Sequence, residues 1–165
     1  MFTVCSKSQV YERVKKIDAT HLITMLDPDD HMYKPVSIKQ ENHLFLKFED
    51  EESDEHLLAP TMLHCQRILD FGEKLPDDAI TVVHCFAGIS RSTAAALALH
   101  VQRHHDIDAA RAWLAKDRPQ AMPNMLMAQH FDKLLGMNGK FLQLCDQINS
   151  NRLIVAQGTL DWGPF

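Results

Sequence analysis

The chain has 165 residues, 45% of them hydrophobic and 24% charged, with a formal net charge of −5 at neutral pH. That length suits one domain over residues 1–165, and the composition supports a sizeable core, which excludes a disordered chain. With no basic block and no window of 18 apolar residues, neither a nucleic-acid partner nor a membrane span is expected.

Phe2 to Cys5 is a short strand candidate. Ser6 with Gln9 forms a capping box before a predicted helix carrying Val10, Val14 and Ile17. His21 to Leu26 reads as a buried strand, closed by the turn-rich Asp27-Pro28-Asp29-Asp30. From His43 to Phe48 the pattern alternates, placing Leu44, Leu46 and Phe48 on one face of a half-buried strand. An acidic stretch, Glu49 to Glu55, is interrupted only by Ser53. Pro60 then opens a helix with Met62, Cys65, Ile68 and Leu69 on its apolar side.

Ala79 to His84 is a β-branched run suited to a central strand. A loop and an Ala-rich helix from Arg91 follow, then a helix from near Asp108 that ends before Pro119. Asn124 caps another helix, stopped near Gly136, and Gly139 to Ile148 supplies the last. Strands interleaved with helices, then a helical C-terminal half, predict an α/β fold whose mostly parallel central sheet is flanked by helices.

The four cysteines, Cys5, Cys65, Cys85 and Cys145, are scattered and form no Cys-x-x-Cys pair. Neither a zinc site nor a disulfide framework fits that spacing. The N-terminus also lacks a basic stretch followed by an apolar run, so no secretory signal is expected. A reducing cytoplasmic setting is therefore predicted, where a cysteine in a special context acts as a nucleophile.

That context lies in VVHCFAGISRST, residues 82–93. A buried strand delivers Cys85 to the carboxyl edge of the sheet, where open α/β folds bind ligands. The loop Phe86-Ala87-Gly88-Ile89-Ser90 can turn successive backbone N–H groups inward as an anion nest, beside the positive end of the next helix. Arg91 adds a planar fork that pairs two phosphate oxygens at once. All three features favour negative charge on the Cys85 sulfur and on a phosphate above it.

His-Cys-x5-Arg followed by Ser resembles the signature loop of the cysteine-based protein tyrosine and dual-specificity phosphatases, with the spacing of their compact members and bacterial relatives. The resemblance covers roughly residues 20–135 and implies the protein-tyrosine-phosphatase-like fold. It implies that Cys85 attacks phosphorus to give a phosphocysteine. The amides of Phe86, Ala87, Gly88, Ile89, Ser90 and Arg91, with the Arg91 side chain, would hold the phosphoryl oxygens. Ser92 would donate to the sulfur as it leaves, and His84 would orient the loop and keep the thiolate poised.

The family takes the leaving-group proton from an Asp on a separate loop, after a strand patterned L-x-L-x-F-x-D. Here Leu44, Leu46, Phe48 and Asp50 match, which makes Asp50 the general acid and Asp54 the runner-up. The segment Arg118 to Asn124 resembles a family segment whose Asn braces the signature loop. Asn124 is thus a positioning candidate as well as a helix cap.

No cofactor or metal is implied. His100 and His104 stand at i and i+4, yet no third ligand has motif spacing, so a solvated helix end is the simpler reading. Met122, Met125 and Met127 read as core packing. The signature loop carries no Lys, unlike phosphoinositide-directed relatives, which points to a phosphorylated protein or peptide as substrate. A small non-protein monoester and a catalytically dead phosphoprotein-binding module are the alternatives. Such a module would have lost the nucleophile, the arginine or the acid, and all three are present. Oligomeric state is open.

Overall fold

The structure, a computed structural model, describes residues 1–158, with side chains described as far as Asn151. Four strands form one sheet: β1 (Phe2–Ser6), β2 (His21–Leu26), β3 (His43–Lys47) and β4 (Thr81–Cys85). Six helices accompany them: α1 (Val10–Lys16), α2 (Met62–Glu73), α3 (Arg91–His104), α4 (Ile107–Asp117), α5 (Met125–Leu134) and α6 (Lys140–Gly158). The strand order is β1-β4-β2-β3, and every pairing is parallel. The α/β expectation holds, with a sheet that is wholly parallel.

Strand alternation divides the core in two. Phe2, Val4, Ile23, Met25, Leu46, Val83 and Cys85 face one side, where α2 to α6 pack. Cys5, Leu22 and Val82 face the other, against Val10 and Val14 of α1. Helices α1 and α3 follow the adjacent strands β1 and β4 but lie on opposite faces of the sheet. Chain paths that diverge in this way open a crevice beyond the strands' carboxyl ends, where α/β sheets bind ligands. Cys85 ends β4 at that crevice.

The Ala run of α3 has a packing reason beyond helix propensity. Ala94, Ala95, Ala96 and Ala98 are fully buried, and α3 touches β1, β4, α2, α4 and α5. Small side chains let one helix sit among so many neighbours at interior density.

The sequence-predicted elements all appear, with shifted ends. Ser6 and Gln9 do form the box, Gln9 Oε1 accepting from the Ser6 N–H at 3.3 Å, but the residues they enclose wind as a single 3-10 turn before α1. Thr61, not Pro60, caps α2 by accepting from the His64 N–H. Met62, expected on the apolar side of α2, is exposed at the helix start, while Cys65, Ile68 and Leu69 are buried. Among the three methionines assigned to the core, Met127 is fully buried and Met122 and Met125 partly so. The last helix runs ten residues past Ile148.

Candidate active site

Cys85 is 1% exposed at the end of β4, and its Sγ accepts the backbone N–H of Gly88 at 3.2 Å. The direction of the other loop amides follows from where the carbonyls go, because each peptide unit points its N–H roughly opposite its C=O. Phe86 O accepts from Lys7 N at 3.0 Å. Ala87 O and Gly88 O accept from the Arg118 guanidinium at 3.3 and 2.8 Å. Ile89 O accepts from Met122 N at 2.9 Å, and Ser90 O from the Ala94 N–H at 3.1 Å. Five successive carbonyls are thus tied to surrounding elements, which leaves the amides turned toward the sulfur as an anion nest.

Gly88 makes this closure sterically attainable. Its φ is +70°, and a Cβ there would lie 2.5 Å from the backbone C and O of Cys5. Only glycine meets both conditions. Helix α3 begins at once, and no side chain caps it, so its positive end faces the nest. Ser92, in its first turn, places Oγ 3.2 Å from Cys85 Sγ.

Arg91 is 2% exposed, and its guanidinium is held from behind. Nη1 donates to Asp27 Oδ1 and to the Phe48 carbonyl, each at 2.6 Å. Among the described residues Nε has no hydrogen-bond partner, although it is buried. A buried guanidinium N–H left unpaired is costly unless a ligand completes it.

Asp50 stands at the rim. Its Oδ1 accepts from Ser90 Oγ at 2.7 Å and from Asn124 Nδ2 at 2.9 Å, while Oδ2 lies 3.9 Å from Arg91 Nε. Two donors thus hold Oδ1, and Oδ2 faces the Arg91 guanidinium. Asp54 is exposed and contributes charge near His130 instead.

His84 is fully buried on the face opposite Cys85. Its Nδ1 donates to the Cys85 carbonyl at 3.3 Å, so its Nε2 accepts from Thr24 Oγ1 at 2.8 Å. Thr24 Oγ1 in turn accepts from His43 Nε2 at 2.8 Å. Burial pulls the His84 pKa down to about 4, so the ring is neutral at physiological pH. It therefore fixes the Cys85 backbone without bringing a positive charge to the sulfur.

Asn124 requires a correction. Its side chain does cap α5, Oδ1 accepting from Met127 N at 2.9 Å. Its Nδ2, however, holds Asp50 and the Glu51 carbonyl rather than the signature loop. The brace on that loop is Arg118, from the same segment. The sequence already singled that segment out, but nothing separated the roles of its two ends. Asp27 was read only as a turn residue, and its one sequence signal is its place just past the carboxyl end of β2.

All four cysteines are free thiols. Cys5 pairs with His84 in the β1–β4 register, so its side chain lies on the face of the sheet opposite Cys85. Burial pushes the Cys5 thiol up to about 12. His100 stacks on Trp113 at 4.9 Å and joins no metal-ligand group among the described residues. Three ligand atoms, from Glu49, Glu51 and His56, do lie within 4.8 Å of one another in the acidic loop.

This arrangement is the fold of the dual-specificity and tyrosine phosphatases. The human tyrosine phosphatase-like serine/threonine/tyrosine-interacting protein superposes with a TM-score of 0.63 at 18% identity, over 83% of this chain and 92% of its own. DUSP15 superposes at 0.62 with 18% identity, covering 90% of each chain. PTPMT1, solved in complex with PI(5)P, does so at 0.55 with 17% identity, over 82% of this chain and 91% of its own. No protein-family model matches the sequence, and no curated protein does.

Proposed function

We propose that the protein is a cysteine-dependent phosphatase that hydrolyses phosphotyrosine, and also phosphoserine or phosphothreonine, in protein substrates. The observation that carries this reading is the nest closed over Cys85, with the Arg91 guanidinium held beside it by Asp27 and the Phe48 carbonyl. Nest, arginine and sulfur converge on one tetrahedral anion.

In the first step the Cys85 thiolate attacks phosphorus and the bond to the leaving oxygen breaks. Asp50 supplies the proton that makes this oxygen an alcohol or phenol. The amides of residues 86–91 and the Arg91 fork stabilise charge on the three equatorial oxygens. In the second step a water attacks the phosphocysteine, giving its proton to the Asp50 carboxylate. The sulfur leaves as thiolate, stabilised by the Ser92 hydroxyl and the Gly88 amide. Arg91 acts pre-organised, since Asp27 and the Phe48 carbonyl already fix its plane. The four cysteines are free, and a thiolate mechanism suits a reducing compartment, for which the cytoplasm is our assignment.

The test is hydrolysis of p-nitrophenyl phosphate by the wild type and by Cys85→Ser. Turnover that disappears in the variant supports the reading; comparable turnover in both removes Cys85 from the mechanism. A wild type that binds phosphopeptide yet hydrolyses nothing would make the protein a phosphoprotein-binding module, a role in keeping with the interacting protein among its structural neighbours.

A further inference from the structure

Lys7 follows β1 at one edge of the sheet, and the acidic loop follows β3 at the other. On the β1 side, a cleft of about 490 Å³ adjoins the nest, lined by Lys7, Tyr11, His31, Met32, Tyr33 and Phe86. Three aromatic rings stand in solvent around it. Tyr33 is 89% exposed, Phe86 60% and Tyr11 51%. Large rings left in water around one hollow mark a binding surface, since each would otherwise gain by burial.

The cleft is built rather than incidental. Tyr11 Oη donates to the Tyr33 carbonyl at 2.7 Å, fixing one wall. Lys7 pairs with Asp30, and its ammonium lies 6.0 Å from the Phe86 ring centroid. The Lys7 charge is thus already answered by a carboxylate, and the rings dominate the lining. Phe86 is also the residue after the nucleophile, and its carbonyl accepts from Lys7 N. Cleft and nest therefore share a wall, and one extended peptide can occupy both, since its residues advance only about 3.3–3.6 Å each.

We propose that this cleft is a specificity subsite receiving a large apolar or aromatic side chain one or two residues from the phosphorylated residue. The inference rests on the phosphatase reading for what fills the nest. A ring or branched aliphatic chain entering the cleft removes its own surface and that of Tyr11, Tyr33 and Phe86 from water at once. Discrimination against alanine at that position should be about tenfold, the scale on which apolar pockets select.

The probe is a set of fluorescent phosphotyrosine peptides in a Gly-Ala host, with Phe placed singly at each position from two before to two after the phosphotyrosine. Binding to Cys85→Ser is read by anisotropy and kcat/KM on the wild type by phosphate release. One Phe position should bind about tenfold tighter than the host peptide. Tyr33→Ala and Tyr11→Ala should erase that gain while leaving host-peptide binding and p-nitrophenyl phosphate turnover unchanged. Absence of any Phe gain, or a gain that survives both substitutions, overturns the subsite. If the Phe gain appears but the wild type hydrolyses nothing, the subsite stands and the phosphatase reading falls. Hydrolysis without a Phe gain leaves the reverse, and a set that neither binds nor reacts removes both.

Discussion

The two loops that meet over Cys85 are held in opposite ways. Residues 85–90 are tied by their own backbone, with five successive carbonyls bonded to Lys7, to Arg118, to Met122 and to α3. Residues 49–58 are largely exposed and held by few backbone bonds, such as Glu49 N to Leu58 O at 2.8 Å, His56 N to Ser53 O at 3.2 Å and Ala59 N to His56 O at 3.1 Å. Side chains attach this loop to the rest, through Asn124 to Asp50 and through Glu52 to the Met125 N–H. An anion cradle acts by fixed geometry, and any relaxation of its dipoles weakens it. A proton donor must instead admit a substrate beneath it, which a loop held by a few side-chain bonds permits. On the proposed mechanism, the loop tied by its backbone would serve the nucleophile and the loop tied by side chains the proton donor.

Substitutions can break this contrast. The largest effect belongs to Cys85→Ser, which should reduce p-nitrophenyl phosphate turnover to background while leaving phosphate-competitive peptide binding intact. Asp50→Ala comes next, with about 10²- to 10⁴-fold loss of kcat on phenyl phosphate and a smaller loss on p-nitrophenyl phosphate, whose leaving group needs less help from an acid. Asp54→Ala should stay close to wild type on both. If instead Asp54→Ala shows the leaving-group dependence, the rim geometry of Asp50 has been misread.

Gly88→Ala tests the rigid loop, because its Cβ must displace the Cys5 backbone. A loss of about 10²- to 10³-fold in kcat is expected, equivalent to removing an oxyanion donor, with no dependence on the leaving group. Arg118→Ala removes the fork on Ala87 O and Gly88 O and should cost about tenfold on every substrate. Asn124→Ala loosens the other loop and should reproduce a muted Asp50→Ala pattern. Should Arg118→Ala and Asn124→Ala prove indistinguishable across leaving groups, the two loops are not separate units.

The smallest effect concerns stability. The His84 pKa falls from 6.5 to about 4 on folding, so between those values the unfolded chain binds the extra proton. Its contribution is fully present above pH 6.5 and is lost as pH falls toward 4, by up to about 3 kcal/mol. Urea titrations at pH 7 and pH 4.5 should show a steeper acid loss for the wild type than for His84→Gln. Parallel slopes in the two proteins would mean that His84 is not kept neutral by the fold.

Local chemistry explains what was legible in advance. The β-branched run before Cys85, the single glycine in the loop and the Ala-rich run after Arg91 each force their own conformation, so strand, nest and helix follow one another in 24 residues from Thr81 to His104. The place of Asp50 just past β3 was legible too, through the alternation of Leu44, Leu46 and Phe48, two of which are buried. Partners supplied from far along the chain were not legible. Asp27 reaches Arg91 across 64 positions, Arg118 reaches Gly88 across 30, and Asn124 reaches Asp50 across 74. Nothing in the spacing of such residues records whom they will touch.

The aromatic cleft belongs to the same class, since Lys7, Tyr11, Tyr33 and Phe86 come from three separate segments that only the β1-β4-β2 order brings together. The sequence by itself determined the strand that ends at Cys85, the loop after it and the helix that starts at Arg91, because strand period, glycine and helix start act over a few residues. The tertiary structure decided what holds that arginine, which loop Asn124 braces and what lies beside the nest. Those outcomes depend on strand order and on the packing of α3 to α5, which no local pattern encodes.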